Sequence, residues 1–516
     1  MNLKQRVFRN SSLEMLSKIV GIGAGIFLSP YLIRSLTKET YGLWVLIGSV
    51  VGYFGFTDFG VRIAAGRLVA YYRARQDAAR VNHTINTCLA LLTASGFVVT
   101  LLTLLLSPYF GRLFHIGPDV PHVPAAVFLC GFAVAVGLPL TVFEGCLAGY
   151  ERYDFINFVE IFLIIARVGL TVWMIQLGYG LLALAAINLA LTMAGGSVKL
   201  LLCYRVFQPL HVTVEHIDRV AIRETYATSI WFLILAVSVR ISFFTDNIVI
   251  GYFRTTGEVA VYSIAGRLAQ YALVAVNAFN LVLMPVSAAY DAQANLAKQR
   301  RLLLLGTRAS FAAAIFMATI FLAYGRQIVH IWIGSGFEQA AIALAILTFP
   351  MITQSSQTTT LIVMQGMAKH KTLSLIYLGE AIANLVLSLI LVRPLGMIGV
   401  ALGTALTNTL SSLIVQPLYV CRVLSLDIAD YYRKAFLPVL LATVPLIALI
   451  AGFQYIWLPQ KFITMAAFCI LAAAFYFAIV YLLFFTKRAL TRASFATQPP
   501  ADRTTNVNTS TQENWI

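Results

Sequence analysis

The sequence predicts an all-α polytopic membrane protein of about fourteen transmembrane helices, arranged as two pseudo-symmetric six-helix bundles followed by two further helices. Three observations predict it: an apolar composition, an internal repeat, and an uneven distribution of basic residues between loops. Of the 516 residues, 59% are hydrophobic and only 11% are charged, whereas a soluble domain carries about 25% charged residues. Most of this chain must therefore lie in lipid.

Each membrane crossing needs about 20 apolar residues, and such runs predict the individual helices in order. The first seven predicted spans are 17–36, 43–61, 82–106, 124–147, 156–177, 181–203 and 227–250. The next seven are 259–286, 306–328, 340–366, 372–391, 396–419, 434–452 and 461–485.

The first twelve spans repeat at an offset of about 218 residues. Three pairs of positions share this offset: Trp44 with Tyr262, Gly149 with Gly366, and Gly178 with Gly396. Duplicated helical bundles are typical of secondary transporters, in which one half rocks against the other around a site at their interface.

The repeat predicts the division of the chain. The first bundle occupies 1–226, the second bundle 227–420, and the two additional helices 421–485. The polar remainder, 486–516, is predicted to be a disordered tail because it cannot bury enough apolar surface.

Basic residues favour one side of the membrane. The formal net charge is +16, and 25 of the 37 Lys and Arg residues fall in the loops and adjoining span ends on one side, against 7 on the other. Cytoplasmic loops carry this excess in membrane proteins, so both termini are expected in the cytoplasm of a bacterial inner membrane. The charge therefore predicts no nucleic-acid partner.

No motif indicates an enzyme. The chain lacks a GxxxxGK[ST] loop, an HExxH pair and a GxSxG elbow, which are the common nucleotide, zinc and serine-nucleophile patterns. The longest external segment, about 107–123, is too short for a catalytic domain. No catalytic residue, metal site or cofactor is therefore predicted.

Function is expected where charges lie inside spans. A charge near the bilayer centre costs ~2.5–3.5 kcal/mol on insertion scales, so it normally faces a partner or a wet cavity. The candidates are Lys18, Asp58, Arg62, Glu160, Arg167, Lys199, Arg240, Asp246, Arg267 and Glu380.

Spacing suggests structural roles for some of these charges. Asp58 and Arg62 are four residues apart, which suits a self-compensating pair as well as a functional one. Glu160 and Arg167 share a helix face but stand ~10 Å apart, so contacts with another helix are at least as plausible for them.

Two lysines lie near the cytoplasmic ends of their spans. Lys18 has Glu14 four residues before it, and the long side chains of Lys18 and Lys199 could also reach the interface.

Arg240 and Arg267 are harder to explain structurally. Asp246 lies about 120° around the helix from Arg240 and is poorly placed to neutralise it. Arg267 begins a polar stripe at helical spacing that continues through Gln270, Tyr271, Asn277 and Asn280. This stripe favours a wet lumen over a buried ion pair.

If spans 1 and 2 meet spans 7 and 8, four basic residues are expected to converge on one chamber: Lys18, Arg62, Arg240 and Arg267. Guanidinium groups bind phosphate oxygens in a bidentate fork. Such a chamber suits a phosphate-bearing cargo.

Three segments carry a family resemblance. They are LIRSLTKETYGLWVLIGSVVGYFGFTDFGVRIAAGRLVA, LAGYERYDFINFVEI and VAVYSIAGRL. Together they resemble the Wzx-type polysaccharide and O-antigen flippases of the multidrug/oligosaccharidyl-lipid/polysaccharide (MOP) exporter superfamily, over residues 10–485.

The resemblance implies alternating access and a cargo of undecaprenyl-diphosphate-linked oligosaccharide for O-antigen, capsule or exopolysaccharide. It implies that Lys18, Arg62, Arg240 and Arg267 bind the diphosphate. The expected partners are the cargo, the bilayer and a polysaccharide polymerase, with the protein itself a monomer.

Because no nucleotide site is present, coupling to H⁺ or Na⁺ is expected. Asp58 and Asp246 are the candidate coupling residues, since an intramembrane carboxylate can take up and release a proton.

Three alternatives remain open from the sequence. A peptidoglycan lipid-precursor flippase handles a similar diphosphate lipid, and an ion-coupled multidrug exporter belongs to the same superfamily. A membrane-bound glycosyltransferase or ligase is weaker, because the loops are short.

Overall fold

The computed structural model describes residues 3–58, 60–117, 120–277, 280, 283–456, 459 and 461–495. Helices and turns account for all regular structure in this part of the chain. An all-helical fold is required physically, because a helix satisfies its own backbone hydrogen bonds within lipid.

The first half contains eight helices in the described residues. They are α1 (Leu3–Ser35), α2 (Lys38–Phe54), α3 (Val61–Ala74), α4 (Ala78–Leu106), α5 (Phe110–Leu113), α6 (Val123–Gly149), α7 (Tyr153–Gln176) and α8 (Leu181–Val206). Two short 3₁₀ turns cover Gly55–Asp58 and Val214–His216.

The second half continues with ten helices in the described residues. They are α9 (Arg219–Phe253), α10 (Thr256–Asn277), α11 (Leu283–Ala292), α12 (Leu296–Trp332), α13 (Glu338–Gly366), α14 (Lys371–Leu410), α15 (Gln416–Val423), α16 (Ile428–Ala435), α17 (Leu437–Ile456) and α18 (Phe462–Phe495). A π-helical turn, Ser411–Val415, separates α14 from α15.

Twelve stretches of the described chain are long and apolar enough to span a membrane. One of them, 371–423, is long enough for two spans and breaks at Gly396. The helix α13 is not among the twelve because its middle is rich in Ser, Thr and Gln. The predicted class, an all-α multi-pass membrane protein, is confirmed.

The helix starts repeat at the predicted offset. Three pairs begin 218 residues apart: α2 with α10, α4 with α12, and α7 with α14. Asp77 and Asn295 each accept a hydrogen bond from the backbone N–H three residues on, so equivalent residues cap α4 and α12. Gly178 and Gly396 both have positive φ, +84° and +59°, a conformation that glycine adopts without a Cβ penalty.

The second predicted span, 43–61, is broken rather than continuous. The helix α2 ends at Phe54, Gly60 takes a φ of +74°, and α3 starts at Val61. The Asp58 carboxylate accepts a hydrogen bond from the Arg62 backbone N–H at 3.1 Å. This local cap restarts the helix and fixes the direction in which α3 leaves the break.

The two halves meet where α2 packs against α9 and α10. Gly42 makes this approach possible, because a Cβ there would lie 1.7 Å from the carbonyl oxygen of Thr256. The Trp332 indole N–H adds a contact across the halves by donating to the carbonyl oxygen of Ile26 at 2.7 Å. The backbones of α2 and α10 are therefore in direct contact at one end of the interface between the two halves, which we call the seam.

The last long helices, α17 and α18, pack against each other and against α12, within the apolar core of the second half. The helix α18 runs to Phe495, so the first residues of the predicted tail are helical, and 496–516 lie outside the described residues. The domain boundaries at 226 and 420 stay predictions.

Replacing Gly42 with Ala should destabilise the protein, because its new Cβ would collide with backbone atoms of α10. Overpacking of this kind costs about 1–3 kcal/mol. Thermal unfolding in detergent should show a midpoint several degrees lower. Gly48→Ala on the same helix is the matched control, since no heavy atom lies within 4 Å of its Cβ position. Equal midpoints in the two variants would contradict the close approach.

Candidate functional site

A central cavity of about 510 Å³ lies between the halves, bordered by α2, α9, α10, α13 and α14. Its polar lining is dominated by amide and hydroxyl side chains: Ser49, Ser242, Asn247, Ser263, Gln270, Gln354, Thr404 and Asn408. Aromatic rings complete the wall, namely Trp44, Phe244, Tyr262 and Tyr271. Amide and hydroxyl groups hydrogen-bond hydroxyl-rich ligands, and aromatic rings offer flat apolar faces to them.

Arg267, on α10, is the basic residue that lines this cavity in the described structure. Its guanidinium lies beside the hydroxyl groups of Tyr41 and Tyr271. No carboxylate among the described residues forms an ion pair with it. A guanidinium left without a counter-ion inside a membrane protein is a position for an anionic ligand.

The structure divides the predicted polar stripe that follows Arg267 along the chain into two parts. Gln270 and Tyr271 line the central cavity. Asn280 instead donates to Ser310 at 2.9 Å and is buried among helices of the second half. Asn280 is therefore not part of the lining of the central cavity.

Asp246, on α9, lines the same cavity and is 4% exposed. Its Oδ2 accepts hydrogen bonds from the hydroxyls of Tyr262, at 2.5 Å, and Thr404, at 2.8 Å. Its Oδ1 has no hydrogen-bond partner among the described atoms. A buried carboxylate with one unpaired oxygen beside a cavity is chemically suited to accept a proton or a small cation.

A network of four charged residues, the first-half ion network, occupies the interior of the first half. Arg62 donates to one oxygen of Glu144 at 2.7 Å, and Lys199 donates to the other oxygen at 2.7 Å. Lys199 also donates to Glu160 at 2.7 Å. The network thereby joins α3, α6, α7 and α8, and its two positive and two negative charges balance.

Two interpretations of the spacing are corrected by this network. Lys199 does not extend to the membrane interface; it is 7% exposed and lies between two carboxylates. Arg62 does not pair with the Asp58 side chain, because its guanidinium turns to Glu144 while Asp58 bonds only the Arg62 backbone N–H. Sequence spacing describes one helix and cannot show that another helix supplies a better partner.

Glu144 was missed as a candidate, although it is the one acidic residue within the predicted span 124–147. It borders two hollows of about 600 and 420 Å³ on either side of the network. The sequence alone could have identified Glu144, since an acidic residue inside a transmembrane span implies a charged or polar partner.

The four predicted cargo-binding residues are not brought together in one hollow. Lys18 pairs with Glu14 at 2.8 Å, with both side chains about 40% exposed. Arg240 donates to the carbonyl oxygen of Gly52 at 2.9 Å and so joins α9 to the end of α2. Arg62 belongs to the first-half ion network, and only Arg267 of the four lines the central cavity of the described structure.

The predicted coupling residues also separate. Asp58 interacts electrostatically with both Arg62 and Arg240. Asp246 accepts hydrogen bonds from two hydroxyl groups, has the Asn384 side chain beside it, and belongs to the lining of the cavity. The described residues contain no group of three or more His, Cys, Asp or Glu that could hold a metal ion.

The sequence matches the family model described as "Polysaccharide biosynthesis protein" over residues 7–291, which is more than half of the chain. This chain belongs to the polysaccharide biosynthesis protein family. The chain is also similar in sequence to the uncharacterized membrane protein EpsK of Bacillus subtilis (strain 168). The two are 21% identical over 452 residues, which cover 83% of this chain and 85% of EpsK.

Solved structures show the same fold. An inward-facing multidrug-resistance MATE-family transporter of the MOP superfamily has a TM-score of 0.64 at 16% identity, covering 79% of this chain and 94% of its own. A MOP-superfamily transporter from Pyrococcus furiosus, with a binding pocket of reverse polarity, has a TM-score of 0.59 at 16% identity, covering 82% and 96%.

The predicted relation to polysaccharide biosynthesis proteins is thus confirmed, and the fold is that of MOP-superfamily transporters. Family and fold together support a flippase-type transporter of the MOP superfamily and point away from an enzyme.

Glu144→Ala should destabilise this family member strongly, because it leaves Arg62 and Lys199 without their shared carboxylate. Breaking a fully buried ion pair costs about 3–5 kcal/mol, and the cost here should lie below that range because Glu144 is partly exposed and Lys199 keeps Glu160 as a partner. We expect a large fall in the thermal midpoint and in membrane abundance. Glu14→Gln, which removes the exposed pair with Lys18, is the control and should cost under about 1 kcal/mol. A Glu144→Ala protein as stable as this control would show that the network does not hold the bundle together.

Proposed function

We propose that this protein is a flippase for undecaprenyl-diphosphate-linked oligosaccharide in surface polysaccharide biosynthesis. It works in the bacterial cytoplasmic membrane, with both termini in the cytoplasm, and moves its cargo by alternating access. The observation that carries the proposal is Arg267, a guanidinium without a carboxylate partner among the described residues, in a cavity between the two halves.

The rest of the cavity fits the sugar part of this cargo. Amide and hydroxyl side chains line the wall around Arg267, and Trp44 and Tyr271 contribute aromatic faces. A diphosphate requires positive charge, whereas sugar hydroxyls require neutral donors and acceptors. Both kinds of group are present in one cavity.

The positive-inside pattern supports the proposed orientation. The excess of 25 against 7 basic residues between the two sides supports cytoplasmic termini, on the side where lipid-linked units would be loaded.

Asp246 favours a second candidate, an ion-coupled exporter of organic cations, because a carboxylate lines the same cavity. Drug susceptibility of a deletion strain separates the two candidates. Sensitivity to cationic drugs with normal polysaccharide would favour the exporter, whereas lipid-linked repeat units accumulating on the cytoplasmic side would favour the flippase. Loss of viability on deletion would instead favour a peptidoglycan-precursor flippase.

In a strain whose wild-type gene is replaced by one encoding Arg267→Ala, surface polysaccharide should fall at least about tenfold. The reason is that a charge-assisted hydrogen bond to the cargo contributes ~1.5–3 kcal/mol. Polysaccharide is quantified on gels, and protein abundance by immunoblot. Lys434→Ala, which removes an exposed pair with Asp430, is the control. Normal polysaccharide in Arg267→Ala would contradict the proposed cargo site.

We further propose that Asp246 couples transport to an H⁺ or Na⁺ gradient, since it belongs to the cavity lining and one of its buried oxygens has no hydrogen-bond partner among the described atoms. Asp246→Asn should abolish the dependence of flipping on an imposed pH or sodium gradient in proteoliposomes. Asp77→Asn, which preserves a helix N-cap, is the control. Gradient dependence that survives in Asp246→Asn would exclude this carboxylate as the coupling group.

A further inference from the structure

Glu380 is an acidic residue inside a span that belongs neither to the first-half ion network nor to the lining of the central cavity. It lies on α14 and is 7% exposed. Its Oε2 accepts a hydrogen bond from the side-chain amide of Gln416 at 3.3 Å, and the side chains of Ser411 and Gln354 also hydrogen-bond it. None of the ion pairs among the described residues includes Glu380. Its partners in that part of the chain are therefore amides and a hydroxyl.

The π-helical turn Ser411–Val415 builds this pocket. In an α-helix, residues five apart point about 140° apart, because each residue turns about 100°. Ser411 and Gln416 nevertheless touch, since the Gln416 amide donates to the Ser411 hydroxyl oxygen at 3.2 Å. The Gln416 backbone N–H also bonds the Ser411 carbonyl oxygen, which is the i→i+5 pattern of a π-helix. The wider turn thus brings two donors to one side of the helix, beside Glu380.

Neutral partners suit an acid that binds a proton. In the first half, Glu144 and Glu160 are balanced by cations at 2.7 Å. A carboxylate that is removed from water without a cation is costly, and such a group neutralises itself by taking up a proton. Amides and hydroxyls can donate to a charged carboxylate and accept from a neutral acid. The pocket of Glu380 is therefore compatible with both states and favours the neutral one.

The titratable groups of the neighbouring elements do not supply a cation. Tyr377 on α14 interacts electrostatically with Glu380. The contacts from α13, the π-helical turn and α15 are the neutral side chains already named. The helices α9 and α10 bring titratable groups to α14 one turn farther on, at Asn384, and at the Gly396 kink: Asp246, Tyr262, Arg254 and Glu258. No cation among these described groups bonds Glu380, so a proton is the positive charge that can neutralise it.

Gln354 connects this pocket to the central cavity. The residue lies on α13, its side chain hydrogen-bonds Glu380, and it belongs to the lining of the cavity, whereas Glu380 does not. One amide is therefore shared between a titratable acid and the cavity wall. A charged carboxylate holds an amide N–H more strongly than a neutral acid does. The charge on Glu380 thus determines how firmly the Gln354 amide is held back from the cavity.

We propose that Glu380 is a proton-binding site behind the cavity wall, and that its protonation sets the affinity of the cavity for cargo through Gln354. This inference deepens the proposed function and rests on it for the sugar-bearing cargo. When the Glu380 carboxylate takes up a proton, it becomes a neutral acid and frees the Gln354 amide to bond a sugar hydroxyl. When the acid releases the proton, the carboxylate holds the amide again, and the cargo loses one hydrogen bond.

Infrared spectroscopy tests the proton site without any cargo, on purified full-length protein in liposomes at neutral pH. The difference spectrum between wild type and Glu380→Gln should contain the carbonyl stretch of a protonated carboxyl group. Ser374→Ala is the matched control on the same helix, since its hydroxyl donates to the His370 carbonyl oxygen, and its difference spectrum should lack this band. A Glu380→Gln difference spectrum with carboxylate bands alone would show that Glu380 is charged and would overturn the proposal.

Labelling of the wild-type protein keeps the proposal testable even if Glu380→Gln fails to fold. A hydrophobic carbodiimide adds to a protonated carboxyl group to give an acylurea, which peptide mass spectrometry locates. The adduct should form on Glu380 and not on Glu144 or Glu160, which are paired with cations. Labelling of Glu144 or Glu160 in preference to Glu380 would contradict the proton site.

Two lipids test the role of Gln354: undecaprenyl diphosphate, and the same lipid carrying an N-acetylhexosamine. Binding is measured against pH in nanodiscs, in the Asp246→Asn background, so that the acid in the cavity wall does not titrate. Raising the pH should weaken binding of the sugar-bearing lipid roughly 2- to 10-fold relative to the bare diphosphate, the effect of one hydrogen bond. Glu380→Gln and Gln354→Met should each remove this difference. A difference that persists in both variants, or equal pH dependence of the two lipids, would overturn the link through Gln354.

The two measurements separate failure of this inference from failure of the proposed function. If wild-type protein binds neither lipid while the protonated carboxyl band of Glu380 is present, the proposed function is wrong and the proton site stands. If both lipids bind while that band is absent, the proton site is wrong and the proposed function stands.

Discussion

Every charge inside a membrane helix requires a counter-charge, a polar group or water. This requirement determines how the interior of the protein is arranged. In the first half, Glu144 meets this requirement for two cations at once, since Arg62 and Lys199 each donate to one of its oxygens at 2.7 Å. Because four helices supply the members of this network, satisfying the charges also fixes how those helices pack. Among the described residues, Arg267 and Asp246 form no ion pair, and both line the cavity between the halves.

The seam combines close packing with open space. At Gly42 the backbones of α2 and α10 approach too closely for any side chain, and farther along the same helices Gly48 and Gly266 line the central cavity. A contact between backbones is tight but buries few rotatable side chains. It can therefore open and close as a unit, in keeping with two rigid halves that rock around a shared cavity.

The chemistry of the cavity suits an amphipathic anion better than a drug cation. Arg267 supplies positive charge, amides and hydroxyls surround it, and the single carboxylate in the wall, Asp246, already bonds two hydroxyl groups. A transporter that couples an anionic cargo to a cation needs both signs of charge near one another but separately solvated. The cavity provides that arrangement, with Arg267 on α10 and Asp246 on α9.

The sequence by itself determined the membrane class, the order of the helices, the repeat and the family. These properties depend on local composition and on periodicity, which are written along the chain. The offset of 218 residues reappears in helix starts and in the matching caps Asp77 and Asn295. Only the tertiary structure decided which charges are paired, because partners such as Glu144 for Arg62 lie 82 residues apart on other helices. For the same reason it alone placed Arg267 in the cavity wall and left Lys18 outside the cavity, since the direction of a side chain depends on how helices pack.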